Sequence, residues 1–170
     1  MTTSLLPRRV LCVGNEICHD DGVAFVIARR LRELAVPASI IEVGEFGLSC
    51  LEAFLGAAQV VVVDAIATGL PAGQCRLFEN TSFIPEATCS VGHAISLGSM
   101  LELVAELAPG DVPRVSVVGI EAGDLSPFGE GLSPGVQAAV PEAVRLVLAE
   151  LEVSLVESCF VRAPMLERTA

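Results

Sequence analysis

Four consecutive valines that end in an aspartate constrain this chain more than any other segment. Val60–Val63 has the uninterrupted β-branched pattern of a strand that is buried on both faces, which is typical of a central strand in a parallel sheet covered by helices. Asp64 follows directly, where an unpaired charge is expensive to bury. Because ligands collect at the carboxyl ends of strands in open α/β sheets, Asp64 is a candidate functional residue.

Strand and helix patterns alternate along the rest of the chain, which predicts an α/β fold. The predicted strands are 9–14, 39–43, 60–64, 74–78 and 114–119, and the predicted helices are 21–35, 49–55, 92–107 and 134–151. We expect strand 74–78 at an edge of the sheet, and Pro141 to kink the last helix or to divide it in two. We predict a single domain over residues 1–170, with a core at about 9–151 and a tail, 152–170, that has no clear periodicity.

The composition excludes several classes of protein. A net charge of −11 argues against a nucleic-acid partner and against an anionic membrane surface. No segment has the length or apolarity of a membrane span, and no secretory signal pattern is present. The six cysteines are scattered and form no C-x-x-C pair, as expected for reduced thiols. We therefore expect a cytoplasmic protein, and a monomer is favoured.

The loop that joins the first predicted strand to the first predicted helix carries two adjacent carboxylates, Asp20 and Asp21. It lacks the G-x-G-x-x-G spacing of a dinucleotide site, and the carboxylates would repel a pyrophosphate. Either aspartate can instead cap the helix and complement its dipole. The alternative is that Asp21 binds a ligand at the strand end. His19 is either exposed or a further metal ligand.

A three-ligand metal site is the most specific interpretation of the polar residues at these strand and helix ends. Asp64 could instead accept hydrogen bonds from loop amides near Thr68 and Gly69, but we favour a functional role. His93 begins an apolar helical pattern, where the helix dipole disfavours protonation and leaves a neutral imidazole that can bind a divalent metal. With Asp21, these side chains would form a site with an open coordination position. The chain has no G-x-S-x-G or H-E-x-x-H motif.

Several short motifs, in their order and spacing, resemble those of the hydrogenase maturation endopeptidases. They are Val13-Gly14-Asn15, Asp20-Asp21-Gly22, Val63-Asp64-Ala65, Gly92-His93, Val118-Gly119-Ile120-Glu121 and Leu132-Ser133-Pro134 ahead of Val140-Pro141. The resemblance covers roughly Val10 to Leu151. It implies a phosphorylase/hydrolase-like, three-layer α/β/α sandwich with a mostly parallel, twisted sheet. It also implies an endopeptidase that removes the C-terminal extension of a [NiFe] hydrogenase large-subunit precursor once nickel has been inserted.

The resemblance further implies a role for individual residues. Asp21, Asp64 and His93 match the family's metal-contacting acidic residue, aspartate and histidine, so they are the predicted catalytic and metal-contacting residues. The first of these is either Asp or Glu in the family. The nickel would come with the precursor, which is the expected partner. Gly14 and Asn15 would shape the turn that brings the first loop to the site.

Two alternatives to this function stay open. The first is a nickel-binding assembly factor that docks on the precursor without cleaving it, through the same three residues. The second is a nucleotide-binding or phosphorylase-type enzyme on the same sheet, against which the carboxylates at the strand ends argue.

Three acidic or imidazole side chains depart from the usual pattern of the family. Gly44-Glu45-Phe46-Gly47 keeps the glycines of a turn that follows the second strand, but places Glu45 and Phe46 between them. Glu45 is either an extra acidic group at the site or a solvated side chain. Glu16 and His19 in the first loop are likewise expected to be specific to a subfamily.

Overall fold

The computed structural model of this protein describes residues 7–79 and 95–152. Its strands are β1 (Arg8–Val13), β2 (Ser39–Val43), β3 (Gln59–Ile66), β4 (Cys75–Phe78) and β5 (Arg114–Glu121). Its helices are α1 (Val23–Glu33), α2 (Leu51–Phe54), α3 (Leu97–Leu107) and α4 (Pro134–Glu150). Short 3-10 turns, His19–Gly22 and Leu48–Cys50, precede α1 and α2. The single-domain prediction stays a prediction, because residues 153–170 are outside the described ranges.

The strands form one five-stranded sheet in the order β2-β1-β3-β5-β4. The contacts of β1 with β2 and β3, and of β3 with β5, are parallel, whereas β4 runs antiparallel to β5. All eight residues of β3 are buried, and the strand lies in the middle of the sheet. The prediction of a central strand at Val60–Val63 is therefore confirmed, as is the edge position of the strand at 74–78.

Helices cover both faces of the sheet. Val61, Val63 and Ala65 of β3 point into a core formed with α1 and α4, which we call the α1/α4 core. Val60, Val62 and Ile66 point into the opposite α2/α3 core, which includes Phe54, Met100 and Val104. Side chains alternate between these two cores because successive residues of a strand face opposite sides of a sheet. The predicted three-layer α/β/α sandwich is confirmed.

The ends of two helices differ from their predicted positions. α1 begins at Val23 rather than at Asp21, because the segment before it forms the 3-10 turn His19–Gly22. α3 begins at Leu97, where the Ser96 hydroxyl accepts a hydrogen bond from the amide of Ser99 at 3.1 Å. The predicted start of that helix at Gly92 is therefore wrong, because Ile95 and Ser96 are not helical and Ser96 is the extended N-cap; Gly92 itself is outside the described residues.

α4 continues through Pro141 as one helix, so the predicted division into two helices is wrong. A proline inside a helix removes one amide donor and leaves the carbonyl four residues earlier without its partner. Here that carbonyl belongs to Gln137, and both Gln137 and Pro141 are exposed. Water can therefore satisfy the carbonyl on the outer side of the helix, and the chain stays helical.

Neither a membrane span nor a disulfide is present in the described part of the chain. None of its helices is long and apolar enough to cross a bilayer. Its four cysteines, Cys12, Cys18, Cys50 and Cys75, are free thiols, in agreement with the predicted reduced state. Cys89 and Cys159 are outside the described residues.

Candidate active site

Asp64 lies at the carboxyl edge of the sheet, next to the end of β1. It pairs with Gly119 of β5 and follows the Cys12–Val63 pair that joins β3 to β1. Only 1% of its surface is exposed. Because Val62 and Ile66 point into the α2/α3 core, the side chain of Asp64 leaves the sheet on that same face. Asp64 is buried, as the sequence predicts, but it does not end the strand, because β3 continues for two more residues to Ile66 and pairs there with β5.

The first loop brings Asp21 back towards the end of β1. The amide of Asn15 donates to the carbonyl oxygen of Asp21 at 3.3 Å, and the side-chain oxygen of Asn15 accepts from the amide of Ile17 at 3.2 Å. A Cβ atom on Gly14 would overlap the carbonyl oxygen of Asp21. Asp21 is buried, with 8% of its surface exposed. These contacts agree with the predicted role of Gly14 and Asn15 in shaping the turn.

Asp20, the neighbour of Asp21, is fully buried and does not cap the helix. The residue at the N-cap of α1 is Gly22. The carboxylate of Asp20 instead accepts hydrogen bonds from the amides of Gly123 and Asp124, both at 2.8 Å, and from the amide and hydroxyl of Ser133, at 2.6 and 2.8 Å. The capping interpretation of Asp20 is therefore wrong, because donors from the loop after β5 surround this carboxylate.

The charge of Asp20 is stabilised by this arrangement. Burial by itself would raise the pKa of Asp20, but the hydrogen bonds from Ser133, Asp124 and Gly123 outweigh burial and hold the pKa below its ordinary value. Ser133 occupies the N-cap position of α4, yet its hydroxyl donates to Asp20 and makes no cap hydrogen bond. The sequence shows the cap position and gives no sign of the distant acceptor.

Glu121, at the end of β5, is a further buried carboxylate that was not among the residues predicted for the site. Its carboxylate accepts from the amide and hydroxyl of Thr68, both at 2.7 Å, and from the amides of Gly69 and Leu70, at 2.7 and 3.1 Å. Burial would raise the pKa of Glu121, but these hydrogen bonds hold it below its ordinary value. The loop amides that could have bound Asp64 therefore bind Glu121. Glu121 could have been predicted from the sequence, because it is an acidic residue that ends an apolar strand.

His93 is outside the described residues, so its position relative to Asp21 and Asp64 stays a prediction. Within residues 7–79 and 95–152, no group of three or more His, Cys, Asp or Glu side chains is placed to hold a metal ion. The predicted three-residue site therefore depends on His93. His93 comes shortly before Leu97 in sequence, and α3 packs on the face of the sheet towards which Asp64 points.

The remaining polar candidates have other partners. The Nε2 atom of His19 lies 4.0 Å from a carboxylate oxygen of Asp124, and its ring packs against Gly129. Glu16 forms an exposed ion pair with Arg29 at 2.6 Å. Glu45 is exposed, which agrees with a solvated side chain.

Phe46, the other residue placed between the glycines of the turn after β2, is part of the α2/α3 core. Only 2% of its surface is exposed. Its ring meets that of Phe54 edge to face, with centroids 6.1 Å apart. The departure from the family pattern at this turn is therefore explained at Phe46 by packing.

Cys12 is the cysteine nearest to Asp64 along the β1–β3 pairing, and it is not a nucleophile at neutral pH. Its side chain points into the α1/α4 core, away from the face that Asp64 shares. Burial, together with the charge of Glu42, raises the pKa of its thiol to about 12. Because a thiolate is the reactive form, a thiol with this pKa is inert.

Comparison with known proteins identifies the family to which this chain is similar. The family model of the hydrogenase maturation proteases matches residues 26–150. The hydrogenase expression/formation protein HupD of Thiocapsa roseopersicina is 27% identical over 149 residues, which cover 84% of this chain and 66% of that protein. HoxM of Cupriavidus necator, also named a hydrogenase expression/formation protein, is 26% identical over 138 residues, 78% of this chain and 67% of HoxM. The chain thus spans about two thirds of the length of these relatives.

The fold of this chain is similar to that of several solved structures. The hydrogenase maturating endopeptidase HybD from E. coli superposes with a TM-score of 0.71 at 23% identity, over 86% of this chain and 92% of HybD. The [NiFe] hydrogenase maturation protease HybD from Thermococcus kodakarensis superposes with a TM-score of 0.69 at 25% identity, over 87% of this chain and 99% of that protein. Because the family model matches most of its length, this chain belongs to the hydrogenase maturation proteases, a family of peptide-bond hydrolases.

Proposed function

We propose that this protein is an endopeptidase that removes the C-terminal extension of a nickel-loaded [NiFe] hydrogenase large-subunit precursor. The observation that carries the proposal is the burial of Asp21 and Asp64 at one edge of the sheet, in a chain of the maturation protease family. Their position at the strand ends is where α/β proteins bind their ligands.

Recognition of nickel requires donors of a particular kind. Nickel accepts imidazole nitrogen and carboxylate oxygen, so Asp21, Asp64 and His93 form a suitable set of donors. The nickel belongs to the precursor and is part of the substrate. In this proposal, Asp21 and Asp64 are the contacts from the first loop and from the central strand, and His93 is the third. The contact holds the scissile bond in place and makes the enzyme selective for loaded precursor.

The partner and the compartment follow from the same proposal. The precursor is the protein partner, and the acidic character of this chain, with a net charge of −11, favours a basic surface on it. We place the reaction in the cytoplasm and expect the enzyme to act as a monomer. Neither nucleic acid nor a membrane takes part.

A non-cleaving assembly factor is the second candidate, because the two curated relatives are named for hydrogenase expression and formation rather than for proteolysis. The same three residues would then bind the nickel of the precursor without hydrolysis. Both candidates predict binding of the loaded precursor, and only the endopeptidase predicts release of a peptide. Cleavage is therefore the property that separates them.

The experiment is a processing assay on a purified nickel-loaded precursor, read by mass spectrometry. The wild-type protein is compared with Asp64→Asn and with Asp111→Asn, an exposed aspartate before the start of β5, at the opposite edge of the sheet. The proposal predicts that the wild type and Asp111→Asn release a C-terminal peptide and that Asp64→Asn does not. Binding of the loaded precursor without any peptide release would overturn the protease proposal in favour of the assembly factor.

A further inference from the structure

The buried carboxylate of Asp20 has a role beyond that of the three predicted nickel-contacting residues. We infer that Asp20 is a positioning residue: it fastens the first loop, residues 15–22, to the loop after β5, residues 122–133, and thereby fixes Asp21 at the site. This inference rests on the proposed function, since Asp21 has a catalytic role only if the precursor is the substrate.

The hydrogen bonds of the Asp20 carboxylate attach the first loop strongly to the loop after β5. Its carboxylate accepts from donors that lie 103 to 113 positions away in the chain, at Gly123, Asp124 and Ser133. Hydrogen bonds to an ionised acceptor are roughly twice as strong as neutral ones. The carboxylate is also fully buried, so its removal would leave these donors without an acceptor.

Backbone hydrogen bonds join the same two loops at Asp20 and at residues that precede it. The amide of Asp20 donates to the carbonyl oxygen of Asp124, and the amide of His19 donates to that of Gly129, both at 3.0 Å. The amide of Gly129 donates in turn to the carbonyl oxygen of Ile17 at 3.0 Å. The first loop is therefore attached to the loop after β5 at Ile17, His19 and Asp20, and the Asp20 side chain is the buried part of that attachment.

Asp21 lies between two fixed points. On one side its neighbour Asp20 is held by the loop after β5, and on the other side its own carbonyl oxygen accepts from Asn15 against the end of β1. Consecutive Cα atoms are only about 3.8 Å apart, so a shift of Asp20 moves Asp21 as well. Asp20 thus acts through Asp21 and does not itself contact the substrate.

The test combines precursor processing with hydrogen exchange. Asp20→Asn removes one charge and replaces one acceptor oxygen by a donor, and Asp111→Asn makes the same change at an exposed site. We expect Asp20→Asn to lower the processing rate per folded molecule by about 10–100-fold, the range typical of residues that orient a metal-contacting side chain. Amides of residues 18–22 and 123–124 should exchange faster, and Asp111→Asn should change neither property.

A double-mutant cycle distinguishes positioning from a general structural role. Asp21→Glu keeps a carboxylate but changes its reach. If Asp20 acts through Asp21, the loss of processing rate per folded molecule caused by Asp20→Asn in the wild-type protein differs from the loss it causes in the Asp21→Glu variant. A general loss of stability would leave the rate per folded molecule unchanged in both. Equal losses in both backgrounds would overturn the inference, as would wild-type processing or unchanged exchange in Asp20→Asn.

Failure of this inference is separable from failure of the proposed function. If the wild-type protein processes the loaded precursor and Asp20→Asn does so at the same rate, only the positioning role is wrong. If the wild-type protein binds but does not cleave any loaded precursor, the proposed function is wrong. The exchange measurement on the free protein still decides in that case whether Asp20 holds the two loops together.

Discussion

The main chain of Gly14 touches that of Asp21 so closely that a side chain at residue 14 would overlap the carbonyl oxygen of Asp21. The contact joins the end of β1 to the 3-10 turn before α1. It places a carboxylate of the first loop beside the strand that ends next to Asp64. The small size of one residue therefore sets the position of another that we propose contacts the substrate.

Gly14→Ala should accordingly impair processing more than the replacement of another glycine by alanine. The added Cβ must displace the backbone of Asp21, and overpacking of this kind usually costs about 1–3 kcal/mol of stability. Gly44→Ala is the matched control, because a Cβ there would meet no described atom within 4 Å. We expect a lower melting temperature and slower processing for Gly14→Ala only. Equal behaviour of the two variants would show that the contact does not position Asp21.

Neutral substitutions of the predicted nickel-contacting residues should abolish processing without unfolding the protein. Outer-shell partners of metal ligands typically contribute about 10–100-fold to activity, so direct contacts such as Asp21 and Asp64 should contribute more than about 100-fold. We expect the same for His93→Ala. Processing rates measured by mass spectrometry, with melting curves as a check on folding, test this. A variant that is folded and retains the wild-type rate would remove its residue from the site.

Glu121→Gln should destabilise the protein at neutral pH. The amide group that replaces the carboxylate cannot accept from all of the donors on Thr68, Gly69 and Leu70. One hydrogen bond to a charged acceptor is worth about 1.5–3 kcal/mol, so at least this much should be lost in urea denaturation. Glu142→Gln, which changes only an exposed pair with Arg145, is the control and should have little effect.

The lowered pKa of Glu121 also predicts that the stability of the protein depends on pH. The pKa of Glu121 is lowered below its ordinary value of 4.5, so the stability that its charge contributes is complete above that value. It is lost as the pH falls through the lowered pKa. The difference in stability between the wild type and Glu121→Gln should therefore be constant near neutral pH and should shrink below pH 4.5. A difference that does not change on acidification would contradict this assignment.

Ala35→Gly should stabilise the protein. α1 ends in a Schellman motif, with amides of Val36 and Ala35 donating to the carbonyls of Leu31 and Arg32, and Ala35 has a φ of 50°. This conformation costs a residue with a side chain about 1–2 kcal/mol, part of which is offset because glycine loses more entropy on folding. We expect a net gain of up to about 1 kcal/mol, or a melting temperature about 2–4 °C higher.

Ala138→Gly, in the exposed interior of α4, is the matched control for this substitution. Here glycine should destabilise by about 1 kcal/mol, because the helical conformation favours alanine. Opposite signs for the two alanine-to-glycine changes would confirm that the conformation of Ala35 decides the result. A loss of stability in both variants would contradict it.

Local patterns were sufficient to predict much of the fold. The valine run of β3 indicated a strand buried on both faces, and the structure has β3 at the centre of the sheet. Asp64 was predicted to be a functional residue because an unpaired charge is expensive to bury at that position of the sheet. These predictions succeed because they depend on the hydrophobic period of a single segment.

Contacts between distant segments were not predictable in the same way. The donors to Asp20 come from a Gly-, Pro- and Ser-rich loop more than 100 residues later, and nothing in either sequence segment specifies the other. Glu121 had the same signal as Asp64, an acid that ends an apolar strand, but its loop partners could be assigned to either carboxylate. Only the three-dimensional structure shows that the amides of Thr68 and Gly69 donate to Glu121.

The most direct test of the account compares processing of one large-subunit precursor in its nickel-loaded and nickel-free forms. The enzyme, its concentration and the precursor concentration are kept the same, and release of the C-terminal peptide is followed by mass spectrometry. Contact of Asp21, Asp64 and His93 with the nickel of the substrate predicts release from the loaded form only. Equal rates of release from both forms would contradict the claim that the enzyme recognises the metal of its substrate.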